Sequence, residues 1–141
     1  MPASGGDILV VQKEGERPFW LDVYLDGSTT SYTAKTSRGN NHAFFVQKIT
    51  LSITTHATGK SVAVQDSNSV VIFNHQDTAA AVGIQDVFPL DAGPHGIKLT
   101  EGKDLVVTQT GTGGVVGVVH IEGYEKLTQT INENLTANNK N

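Results

Sequence analysis

The chain has 141 residues, a formal net charge of −4 and a pI near 5.6. That length suits one domain with a core large enough to need no staples, and the absence of cysteine excludes disulfides, thiolate nucleophiles and thiolate metal ligands. The acidic balance and the scatter of its ten Lys and Arg residues argue against nucleic acid as the main partner, and no apolar run approaches the roughly 20 residues of a membrane-spanning helix.

Residues 1–7 read as an N-terminal arm, with no basic segment and no long apolar stretch, so no signal peptide is expected. Ile8-Leu-Val-Val11 reads as a short apolar strand. In FWLDVYL, 19–25, Phe19, Leu21, Val23 and Leu25 alternate with Trp20, Asp22 and Tyr24, the period of a half-buried strand. Asp26-Gly27 predicts a hairpin turn, with STTSYTAKT at 28–36 as its return strand and 37–42 as a loop. AFFVQKITLSITT, 43–55, is the clearest strand. Strict alternation puts Phe45, Gln47, Ile49, Leu51 and Ile53 on one face and Phe44, Val46, Lys48, Thr50, Ser52 and Thr54 on the other. Strands are also predicted at 61–65, 69–74, 80–88, 96–100 and 105–110, then through VVGVVHIEGYE at 115–125, with turns at HATGK, DSN, PLDAGPHG, EGKD and GTGG. The tail from 126 to 141 is polar and rich in asparagine.

About nine or ten short strands with turns every 8–12 residues, and no run with a helical period, predict an all-β protein. The connections are too short for parallel crossovers, so the strands are expected to pair antiparallel, in a two-sheet β-sandwich of jelly-roll type. No internal repeat or linker divides the chain. The reading is a single domain over 1–141, with a core at about 8–125, an arm at 1–7 and a tail at 126–141.

Few motifs suggest chemistry. Gly59-Lys60-Ser61 matches the end of a phosphate-binding loop, but Thr54 stands where that loop needs glycine, and a strand follows where it needs a helix. Gly111 and Gly113 begin a dinucleotide fingerprint that Val116 breaks. The glycines of GTGG are read as supplying positive φ angles in a closing hairpin, and Gly117 and Gly123 as marking a bulge or a close approach of backbones. His42, His56, His75, His95 and His120 show no metal-ligand spacing. The carboxylates show no pairing that spacing alone could make catalytic. No catalytic residue, metal, cofactor or enzymatic activity is therefore expected.

The aromatic residues carry the functional expectation. Trp20 and Tyr24 lie opposite the apolar side of their strand, and Phe44 and Val46 opposite the Ile49–Leu51–Ile53 side of theirs. With Phe19 they form the expected interface. Should Trp20 and Tyr24 instead stack on sugar rings, with polar partners from loops such as 37–42, the chain would be a carbohydrate-binding module of a phage appendage or an adhesin.

The long strand at 43–55, the Pro-Leu…Gly-Ile-Lys-Leu stretch at 89–99, Gly-Lys-Asp-Leu-Val-Val-Thr at 102–108 and the final strand closing in Gly-Tyr at 123–124 resemble the small jelly-roll decoration, or cement, proteins of tailed-bacteriophage heads. The resemblance covers about residues 43–125. It implies a homo-oligomeric structural protein on the outer surface of the virion capsid, assembled in the host cytoplasm. Such a protein bridges major capsid protein subunits, with no cofactor, reaction, membrane or nucleic acid involved.

Overall fold

Alternating apolar and polar residues bounded by Gly, Asn and Asp turns give nine strands among the described residues of a computed structural model, which are 15–78, 86–110 and 113–128. The strands are β1 (Glu16–Asp26), β2 (Ser31–Lys35), β3 (His42–Thr55), β4 (Ser61–Asp66), β5 (Val71–Gln76), β6 (Asp86–Asp91), β7 (Ile97–Lys98), β8 (Leu105–Gln109) and β9 (Val116–Leu127). The apolar tetrad at 8–11, both expected terminal segments (apart from 126–128) and most of the strand expected at 80–88 fall outside the described residues.

Every pairing is antiparallel. The first sheet runs β1-β9-β3-β6, with β7 added beside β3, and the second runs β2-β8-β4-β5. The pairs β1–β9, β2–β8, β3–β6 and β4–β5 nest one inside the next. Folding such a ribbon over gives the double Greek key of a jelly roll, and the β3–β9 and β4–β8 ladders join the halves.

Between the sheets lies an apolar core. Phe44, Val46, Ile49, Leu51 and Ile53 of β3, Val119 and Ile121 of β9, Val62 and Val64 of β4, and Leu105 and Val107 of β8 are all fully buried. Each such side chain contributes about 1.5–3 kcal/mol relative to exposure. The alternation read for β1 holds: Val23 and Leu25 are buried, Phe19 and Leu21 pack against the core, and Trp20, Asp22 and Tyr24 are exposed.

Three expectations are corrected. Phe44 and Val46 do not share a face with Lys48; they are in the core with Ile49, Leu51 and Ile53. The register of β3 on β9 shifts between Val46 and Lys48, so Gln47 is an extra residue opposite the Gly123–Glu122 step and inverts the alternation. The hairpin expected at Asp26-Gly27 is a crossover between sheets, because β1 pairs with β9 and β2 with β8. There the Asp26 carboxylate accepts hydrogen bonds from the Ser28 and Thr29 amides (2.8 and 2.7 Å), the Thr29 hydroxyl (2.7 Å) and the Tyr32 hydroxyl (3.0 Å). The Thr29 amide and hydroxyl, then the Ser28 amide, hold its pKa far below the carboxylate range. The closing hairpin is likewise a crossover from β8 to β9, tied to the first by the Gly114 amide donating to the Gly27 carbonyl at 2.7 Å.

Gly117 and Gly123 behave as their place in a strand suggests. A Cβ on Gly117 would overlap the Ser52 carbonyl oxygen, and one on Gly123 that of Phe45. Both stand opposite the irregular steps of β3, so the missing side chains let a bulged strand close onto its neighbour.

Candidate binding face

The outer face of the first sheet is built in rows set by ladder register. One row reads Trp20, Glu122, Lys48 and Asp91 across β1, β9, β3 and β6. The next reads Asp22, His120, Thr50 and Pro89, and the third Tyr24, Val118, Ser52 and Val87. Neighbouring strands are about 4.8 Å apart, and residues four apart on a strand about 13 Å. Trp20 (76% exposed) and Tyr24 (70%) therefore stand at opposite ends of a short platform, with Val87 (54%) at the far edge of the Tyr24 row.

Between the two aromatic rows, His120 is held by two carboxylates. Its Nδ1 lies 2.7 Å from Asp22 Oδ1 and its Nε2 2.9 Å from Glu122 Oε2. The hydrogen bond to Asp22, then that to Glu122, raise the imidazole pKa above its ordinary value of 6.5. Beside the first row an open depression of about 330 Å³ is lined by Gln47, Lys48, Asp91, Gly93, Pro94 and Glu122. Its walls are braced: Gly93 N–H donates to Asp91 Oδ1 at 2.9 Å, and Gln47 Nε2 donates to the Pro94 carbonyl at 2.6 Å.

A second histidine–carboxylate cluster sits where the β3–β4 turn meets the end of β5. Asp77 accepts from the Ala57 amide at 2.8 Å and lies 2.8 Å from His56 Nδ1 and 3.1 Å from His75 Nε2. Phe88 stacks on His75 with ring centres 3.9 Å apart. Burial by itself would raise the Asp77 carboxyl, but the Ala57 amide and the two imidazoles outweigh it and hold the pKa below the ordinary value. His56 Nε2 is buried, so this cluster faces protein and works as a brace.

Of the five residues expected at an interface, Trp20 and Tyr24 are on this outer face. Phe19 is half-buried under Lys35, edge-to-face with Phe44 at 5.7 Å, and Phe44 and Val46 are core residues. The loop at 37–42 stands at the Lys126–Leu127 end of β9, where Arg38 N–H donates to the buried Glu125 carboxylate at 3.0 Å. The polar groups beside Trp20 come instead from Glu122, Lys48 and Asp91. Sequence reading missed these because only the ladder brings them into one row; the alternation of β1 and β9 was the available signal.

No protein-family model matches the sequence, and no curated protein matches it. Among solved structures, the chain is similar to one described as the cryo-EM structure of the giant freshwater prawn Macrobrachium rosenbergii extra small virus (XSV) VLP. The identity is 13%, the match covers 84% of this chain and 83% of that one, and the TM-score is 0.41. The strand order, and not this distant likeness, carries the fold assignment.

Proposed function

We propose that this chain is a structural virion protein that sits on the outer surface of a tailed-phage head and stabilises it by bridging major capsid protein subunits. The observation that carries the reading is the nested jelly-roll strand order around an interior filled by apolar side chains from both sheets. Viral shells, lectins and cupins share this architecture, and function on a shared fold lies in what each chain grafts onto it. With apolar side chains filling the space between the sheets, the outer faces and loops are left to carry function. The resemblance of residues 43–125 to phage decoration proteins supports the first of the three.

In this reading the chain works as a homo-oligomer within the virion, by buried contact area, and needs no reaction or cofactor. The row Tyr24, Val118, Ser52 and Val87, apolar at three of its four positions, supplies a contact surface, because exposed aromatic and aliphatic groups gain most from desolvation. Purified particles should contain the chain at a copy number matched to the capsid lattice, and recombinant protein should co-sediment with undecorated heads. Tyr24→Ser should weaken that co-sedimentation by about 1–2 kcal/mol. A monodisperse monomer, absent from particles and unable to bind heads, would remove the reading.

A further inference from the structure

We propose that the Trp20 end of the same face is a saccharide-binding site for neutral hexose or N-acetylhexosamine oligosaccharides, formed by Trp20, Glu122, Lys48 and Asp91. It goes beyond the capsid contact and does not depend on it, since that contact is placed at the Tyr24 end.

Trp20 is an exposed aromatic plate at the end of a polar row. Its electron-rich face attracts the polarised C–H groups on the flat side of a pyranose. Further along the row, the depression of about 330 Å³ lined by Glu122, Lys48 and Asp91 is at the small end of ligand sites, room for a sugar unit rather than a large cofactor. The lining groups suit hydroxyls: two carboxylates accept and an ammonium donates.

These groups are also set in place before any ligand arrives. His120 anchors one oxygen of Glu122, and the Gly93 amide anchors one oxygen of Asp91. Each carboxylate thus has its rotamer restricted before a ligand arrives, which lowers the entropic cost of binding. The Gln47–Pro94 hydrogen bond fixes the rim in the same way.

Charge narrows the ligand class. The carboxylates of Asp22, Glu122 and Asp91 share two neighbouring rows with Lys48 and His120, so acidic and basic side chains are interleaved across the site. A phosphate-bearing ligand would meet more negative than positive groups, and a polycationic peptide would meet Lys48 and His120. A neutral polyhydroxylated ligand meets donors and acceptors of both signs without that penalty.

The chain holds a single tryptophan, so its fluorescence reports on Trp20 alone. The folded full-length protein would be screened on an array of neutral glycans. It would then be titrated with maltotetraose, cellotetraose and chitotetraose, with tetralysine and inorganic phosphate as counter-probes. A saturable change in emission with at least one neutral oligosaccharide is expected, and none with the counter-probes. By calorimetry, Trp20→Ala should weaken that binding by about tenfold or more, and Lys48→Met and Asp91→Asn by about tenfold each. Tyr24→Ser should leave the affinity unchanged, and equal thermal melting of all variants guards against misfolding. Silence across the neutral glycans, binding of tetralysine in their place, or saccharide binding that survives Trp20→Ala would overturn the proposal. None of those outcomes alters whether the chain binds phage heads.

Discussion

Two clusters in this molecule use the same chemistry in opposite proportions. At the Asp77 brace one carboxylate is shared by two imidazoles; on the outer sheet face one imidazole is shared by two carboxylates. Asp77 is 1% exposed at its side chain, whereas Asp22 is 46% exposed. Water therefore screens the His120 cluster and hardly reaches the Asp77 cluster. Similar distances thus have different consequences: the buried cluster holds two segments together, and the exposed one orients side chains on a surface open to solvent.

The largest expected effect follows from removing the buried carboxylate. Asp77→Ala leaves the Ala57 amide and two imidazoles without their shared acceptor and should cost about 3 kcal/mol in denaturant unfolding. The same carboxylate has a pH signature. Its folded pKa is below the ordinary value of 3.8. Its stabilisation is therefore fully present above that value and is lost as pH falls through the lower folded value. Acid unfolding monitored by circular dichroism should shift to higher pH in Asp77→Asn. An unchanged acid midpoint would show that the buried cluster is no stronger than the exposed one.

Phe88→Ala removes the ring stacked on His75 and should cost about 2 kcal/mol, less than loss of the carboxylate, because Phe88 is only partly buried. The smallest effect belongs to His120. Because its pKa is raised above 6.5, its contribution is complete below that value and fades as pH rises through the folded pKa. His120→Gln should cost only about 0.5 kcal/mol at pH 6 and almost nothing at pH 9, since all three side chains are substantially exposed. Thermal melts at the two pH values check this. A loss matching that of Asp77→Ala would erase the distinction between brace and surface.

Much of this architecture is legible in the sequence. The alternation of β1, the Asp and Gly punctuation and the lack of helical period are local properties, and they identify strands, turns and an antiparallel sandwich. Trp20 and Tyr24 are legible as outward-facing for the same reason. Strand partners are less so: Asp26-Gly27 has the local chemistry of a hairpin, yet β1 finds β9 nearly a hundred residues away. The Asp77 brace is equally hidden, since His56 reaches the carboxylate and Phe88 stacks on His75 only after β3, β5 and β6 are in place.

By itself the sequence determined that the chain folds as β-strands with one apolar side each, because that depends on side-chain period and turn chemistry. Only the tertiary structure decided which strands are neighbours and which side of β3 faces inward. One extra residue at Gln47 turns Phe44 and Val46 into the core, and burial of their side chains outweighs the strict alternation that a regular strand would keep. It also decided that Trp20, Glu122, Lys48 and Asp91 share a row, because ladder register is set by burial summed over the whole sheet and by no local signal.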